Sequence, residues 1–359
     1  SYQAIRRGLL QSRYLSYGPP LLILRTTPRF SVDNYGVLAV ADTPSLYESQ
    51  QSHTTQLTVA DSHAHEHKWL SMWVLLSVIW GFSFVFIKVA GEFLDPYQVS
   101  FARILLGTLA LASVLVVRRS KPVTYRPALK HLALCGLLAQ AIPFALFAWA
   151  EQYISSIAAG LMNSTMSLWT GVLAFVILPA EKLNRNKFIG LIIGFIGVLI
   201  LLGVWDAEFR GNWMAYGACA LSTIGYAISV LWTRRYLTPM KLDPMGAVTT
   251  QLFFATISIG VVSLFTSKAP THWPLNGIIS IIILGAVGTG IALLLNYKIV
   301  QRAGAIASST VTYSIPIVST FAGIIMLHET IHWYEPIGAV IILFGIAIIQ
   351  GFLFKTRKP

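Results

Sequence analysis

Two stretches decide the fold: DPYQVSFARILLGTLALASVLVV at 95–117 and DPMGAVTTQLFFATISIGVVSLF at 243–265. Each opens on Asp-Pro and then runs apolar for about 20 residues, the length a helix needs to cross a ~30 Å hydrocarbon core. Asp suits a helix cap because its carboxylate accepts from free N–H groups, and Pro suits the first helical position. The stretches start 148 residues apart. At the same offset Glu181 matches Glu329, Ile189-Gly190 matches Ile337-Gly338, and Gly197 matches Gly345. The chain carries an internal duplication.

From Trp69 onward one apolar run follows another, at 69–90, 97–117, 132–150, 156–178, 188–204, 213–232, 245–265, 275–297, 305–327 and 336–354. Hydrophobic residues make up 55% of the chain and charged ones 11%, with a mean hydropathy of +0.67. A soluble domain carries about 25% charged residues, so water is the wrong solvent. The runs are continuous and not alternating, which predicts helices and excludes a barrel. The expected fold is an all-α integral membrane protein of ten transmembrane helices in two five-helix repeats, 69–204 and 205–359. Five is odd, so the second half enters from the opposite side and the repeat is inverted. Two such halves can open alternately to either face, the construction of secondary transporters.

The net charge of +12 would suggest a nucleic-acid partner on a soluble protein, but topology explains it here. With residues 1–68 cytoplasmic, the loops on that side hold Arg118, Arg119, Lys121, Arg126, Lys130, Lys182, Arg185, Lys187, Arg234, Arg235, Lys241, Lys298 and Arg302, and the tail adds Lys355, Arg357 and Lys358. The other side has Lys88, Arg210 and Lys268. The positive-inside rule then places both termini in the cytoplasm, with a bacterial inner (plasma) membrane as the expected location and no nucleic-acid partner. Residues 1–68 are polar, Arg-rich at the start and without helical period, and read as a tail, disordered or a non-native extension. His63, His65, Glu66 and His67 in that tail receive no role. Cys135 and Cys219 fall inside apolar runs and indicate neither a disulfide framework nor a metal site.

The chain resembles the drug/metabolite transporter superfamily, specifically EamA-type exporters with two five-helix repeats. The likeness rests on Trp80-Gly81 with Phe84, on Asp95-Pro96 with Phe101-Ala102-Arg103, on Asn163 with Glu181, Gly190 and Gly197, and on Pro316 with Glu329, Gly338 and Gly345. One departure is that Met166-Ser167-Leu168 stands where the repeat usually has a proline in its fourth helix. The resemblance implies export of a small-molecule substrate, with helices one, three, four, six, eight and nine lining a central cavity. It adds Trp80, Gln140, Tyr226 and Thr289 to the candidates.

Transport needs polar groups at membrane depth, since a bare apolar bundle gives a metabolite nothing in exchange for its water. The fourth helix offers Asn163, Ser164, Thr165 and Ser167 beside Trp169; the ninth offers Thr310, Thr312, Tyr313 and Ser314 before Pro316. The expected substrate-binding set is Trp80, Gln140, Asn163, Ser164, Tyr226, Tyr313 and Ser314. Arg103 lies about 9 Å into its span, where it must snorkel or pair, and reads as structural. The third helix ends in Glu151 and no Asp or Glu stands in mid-span, so weak or absent proton coupling is expected. No cofactor is expected. No reactive constellation marks an enzyme. A channel-like facilitator is the alternative, and the duplicated halves favour alternating access. The substrate, among amino acids and related compounds, and the oligomeric state stay open.

Overall fold

The structure is a computed structural model that describes residues 69–178 and 185–349, without the side chains at 207, 208, 303–307 and 309. The chain divides into two units, 1–62 and 63–359, and the described residues lie in the second. Glu181, Lys182, the C-terminal cations and the readings made of residues 1–68 fall outside them.

In chain order the helices are α1 (Trp69–Ala90), α2 (Pro96–Val117), α3 (Arg126–Ala150), α4 (Ser156–Ile177), α5 (Arg185–Leu201), α6 (Phe209–Met240), α7 (Pro244–Thr266), α8 (Leu275–Arg302), α9 (Val311–Leu327) and α10 (Tyr334–Ile349). No strand occurs among the described residues. Seven helices, all but α5, α9 and α10, are long and apolar enough to cross a membrane. The other three have 17, 17 and 16 residues, about 25 Å each at 1.5 Å per residue. Large apolar side chains point outward, with Val117 83% and Phe265 82% exposed. Such a surface suits lipid.

Both Asp-Pro corners form as their residues dictate. The Asp95 carboxylate accepts from the N–H groups of Tyr97 (2.9 Å) and Gln98 (3.0 Å), and Gln98 Oε1 accepts in return from the N–H of Asp95, closing a capping box. Asp243 accepts from the N–H of Gly246 at 2.7 Å.

The halves interlock. Helix α2 packs on α7, α4 on α9 and α5 on α10, each helix against its own repeat counterpart. Helix α2 also packs on α8, and α7 packs on α3, which is the same contact under exchange of the halves. At the α5–α10 contact a Cβ on Gly190 would stand 2.7 Å from the carbonyl oxygen of Gly345, and one on Gly197 would stand 3.0 Å from that of Gly338. Backbone meets backbone there, so dispersion contacts replace the hydrophobic drive that lipid does not supply.

Candidate functional site

A polar layer forms where α2, α3, α7 and α8 meet. Thr108 Oγ1 of α2 lies 2.9 Å from Thr256 Oγ1 of α7. To one side Arg103 Nε donates to Thr289 Oγ1 of α8 (3.0 Å), while the guanidinium carbon sits 3.7 Å from the centroid of the Phe144 ring on α3. To the other side Gln251 Nε2 of α7 donates to Gln140 Oε1 of α3 (2.8 Å). Arg103 and Gln251 are counterparts at the repeat spacing, so the same position of each half reaches into the other half.

Both receiving helices are locally rewound. Helix α3 is a π-helix over Leu137–Ala141 and α8 over Ile283–Ile291. A π segment widens the turn and re-aims side chains, and it recurs at functional sites. Here Gln140 and Thr289 stand in the two segments. Arg103 neither snorkels nor, among the described residues, forms an ion pair: it is 7% exposed and meets an aromatic face and a hydroxyl.

The fourth helix breaks in the middle without a proline. It runs as Ser156–Asn163 and Met166–Ile177 with Ser164 and Thr165 between them. Ser164 Oγ donates to Leu161 O (2.7 Å) and Thr165 Oγ1 to Met162 O (2.8 Å), while the N–H groups of both also turn to those carbonyls. Hydroxyls that compete for the carbonyl three residues back tighten the turn. In the second half Thr310 forms the matching interruption before α9, and Pro316 lies inside that helix.

The seven expected residues divide. Trp80, Tyr226 and Tyr313 pack around one apolar cluster that contains Phe84, Phe147 and Met162. In it Phe147 meets Phe84 edge-on at 5.6 Å and stacks on Tyr226 at 6.3 Å. Tyr313 shares a hydrogen bond with Ser167 of α4. Asn163 is 8% exposed and makes no side-chain hydrogen bond to a described residue. Gln140 sits apart, against α7. Ser164 and Ser314 each turn their hydroxyls to their own helix, Ser314 onto Val311 O at 2.7 Å. Sequence reasoning passed over Thr108, Thr256 and Gln251, although the offset that pairs the Asp-Pro corners also pairs them.

The helix ends at one face are locked across the halves. Glu329, just beyond α9, accepts from the N–H (2.8 Å) and Oγ (2.8 Å) of Ser156 and from the N–H of Ile157 (3.1 Å). A carboxylate there meets the unpaired donors and positive dipole end of α4. His328, in the left-handed region at φ 53°, ends α9 and turns the chain toward them. Beside this face a cavity of about 830 Å³ is lined by Asp95, Gln98, Leu146, Trp149, Ala218 and Lys268, among others. A smaller apolar one of about 260 Å³ lies between α4, α5 and α6 beside Trp169. Neither contains any of the seven expected residues.

Apolar helices duplicated in two interlocked halves are the construction of membrane transporters of the two-repeat kind. The chain belongs to the EamA-like transporter family, which it matches over residues 67–203 and again over 213–351. It is similar to the uncharacterized transporter YoaV of Bacillus subtilis (strain 168), 23% identical over 287 residues that cover 79% of this chain and 97% of that protein. An uncharacterized transporter of Archaeoglobus fulgidus is 25% identical over 283 residues, 78% of this chain and 99% of that one. The uncharacterized inner membrane transporter YedA of Escherichia coli (strain K12) is 24% identical over 286 residues, 79% and 91% of the two. A solved crystal structure overlays with a TM-score of 0.55 at 17% identity, over 80% of this chain and 97% of that one. That likeness concerns the fold.

Proposed function

We propose that this protein is a secondary transporter that exports a small polar metabolite, an amino acid or a related compound, by alternating access. The observation that carries the reading is the meeting of each half with its counterpart, α2 with α7, α4 with α9 and α5 with α10. An inverted pair joined along its own axis can exchange the conformations of its halves and so open to either side. In this reading ten helices span the membrane, with repeats at 69–204 and 205–359. Both termini lie in the cytoplasm of a bacterial cell. The export direction follows the resemblance to exporters. Substrate binds where α1, α4, α6 and α9 converge, at Trp80, Asn163, Tyr226 and Tyr313. Gln140 holds α3 against α7, Ser164 interrupts α4, and Ser314, just after the interruption at Thr310, completes the set that shapes this space.

The test is a thermal-shift screen of the solubilised protein against a metabolite panel, since a ligand that binds the folded state raises apparent stability. Saturable flux of each hit into liposomes then follows. Saturation is expected. Single-channel conductance in its place identifies a channel-like facilitator and overturns the carrier reading. Reporter fusions after Lys121, Lys187 and Lys241 are expected to read cytoplasmic, and the opposite reading at two of them overturns the topology.

A further inference from the structure

Glu151 stands one residue past the end of α3 and is 2% exposed, yet among the described residues neither of its carboxyl oxygens has a hydrogen-bond donor. Buried polar groups nearly always find a partner, and an isolated buried carboxylate is far costlier than the neutral acid. Its chain neighbours Ala150 and Ile154 belong to the largest apolar cluster, with Phe147 and Cys219.

The charged and titratable groups that face it come from four other elements, and none is bonded to its carboxyl. Lys88 of α1 directs its ammonium to main-chain carbonyls, those of Glu151 and Ile154. Arg103 of α2 is held by Thr289 and Phe144. Glu329, beyond α9, is spent on the start of α4. The Cys219 thiol of α6 is the fourth. Burial pushes the Glu151 carboxyl well above the usual carboxylate range; Lys88 and Arg103 oppose the push and Glu329 adds to it.

We propose that Glu151 is a proton-binding site, holding a neutral carboxyl while this face of the bundle is closed and releasing the proton to water when the face opens. The link to opening is the chain itself. Glu151 and Ile154 belong to the single turn that joins α3 to α4, and Glu329 clasps Ser156, the first residue of α4 after that turn. Parting α4 from α9 moves the turn and admits water to the carboxyl. The O–H bond then breaks, its electron pair stays on the carboxylate, and the proton leaves as hydronium; closure reverses each change. Lys88 and Arg103 supply the positive charge that lets the ion exist once water has entered. The acid absent from mid-span thus stands at a span's end.

The coupling to opening rests on the carrier reading, whereas the protonation is readable with no substrate. Infrared difference spectra of the full chain in liposomes give the decisive measurement. At neutral pH the wild type is expected to show the C=O stretch of a protonated carboxyl that shifts in heavy water. The band persists in Glu329→Gln, disappears in Glu151→Gln and moves in Glu151→Asp. No band at neutral pH, or one untouched by both Glu151 variants, overturns the proposal, and Glu151→Asp decides the matter alone if the glutamine variant does not fold. Loss of the band on replacing choline chloride by sodium chloride assigns the site to sodium and likewise overturns it. Spin labels at the exposed positions Tyr153 and Ile331 report the face: rising pH lengthens their separation in the wild type and leaves Glu151→Gln unmoved. An equal response in both removes the coupling. Absence of transport for every metabolite, with the band intact, rejects the carrier reading and not the site.

Discussion

Thr108 and Thr256 touch through their hydroxyls at 2.9 Å, and they are 148 positions apart in the chain, the spacing that relates Asp95 to Asp243 and Gly190 to Gly338. A residue meets its own repeat counterpart only on the axis that relates the halves. This bond marks that axis, at the crossing of α2 and α7.

Each of the two hydroxyls also reaches the carbonyl one turn back, Thr108 that of Ile104 (2.8 Å) and Thr256 that of Leu252 (2.9 Å), so one donates across the axis while the other, accepting, donates to its own helix. Neither is stranded when the other is removed. Interhelical hydrogen bonds in membranes average about 0.6 kcal/mol. A double-mutant cycle of Thr108→Val and Thr256→Val, followed by unfolding in detergent, is expected to give a coupling of about that size. Additive effects would show that the two do not meet.

The α5–α10 seam is less forgiving. Gly197→Leu must push the Gly338 carbonyl or the Ile342 amide aside, and overpacking a tight contact costs about 1–3 kcal/mol. Gly211, where an added Cβ meets nothing within 4 Å, is the control. Gel-filtration profiles and melting points are expected to fall for Gly197→Leu and to hold for Gly211→Ala.

The helices and their pairing were legible because hydrophobic length and a repeat spacing are one-dimensional signals. The interruption of α4 was not, since it arises from Ser164 and Thr165 hydroxyls competing for local carbonyls, a contest that many buried Ser and Thr residues do not win. Nor was the sharing of labour in the candidate site. The sequence places Asn163, Ser164, Tyr313 and Ser314 at one depth, but helix rotation decides which face the centre, and both serines turned inward on their own backbones. Glu151 reads in sequence as the end of a span; its sealing comes from the Lys88 ammonium taking carbonyls in place of the carboxylate.

Removing the Glu329 carboxylate leaves two backbone N–H groups and a hydroxyl at the start of α4 without their acceptor. Hydrogen bonds to charged groups contribute about 1.5–3 kcal/mol, so Glu329→Ala is expected to lower the melting point and to open the clasped face. Labelling of a cysteine introduced at Ser155 should quicken. Unchanged labelling would mean that the α9 turn does not hold α4.

Stability is expected to depend on pH through Glu151. A raised folded-state value means that the folded chain holds a proton that the unfolded chain has lost. The contribution is therefore complete below the ordinary carboxylate value of 4.5 and is lost as pH rises through the folded value. The slope is at most about 1.4 kcal/mol per pH unit. Melting points of the wild type should fall relative to Glu151→Gln as pH is raised above about 5. Parallel curves would place the ionised form in the folded state.

Asn163 and Tyr313 stand in the fourth helical elements of the two halves, beside the interruptions that loosen α4 and α9. Asn163 is buried with its amide free of described partners, and Tyr313 reaches Ser167 across the halves. Asn163→Ala removes a donor and an acceptor, and Tyr313→Phe removes one hydroxyl while keeping the ring. A hydrogen bond of this kind contributes about 0.5–1.5 kcal/mol net, so a several-fold rise in the half-saturation constant of transport is expected for each, at near-normal expression. Tyr313→Phe has a second readout, because freeing Ser167 lets α4 and α9 separate more readily and raises the maximal rate as affinity falls. Unchanged half-saturation in both variants, for every substrate found, would show that these groups pack the helices and that the substrate is held elsewhere in the bundle.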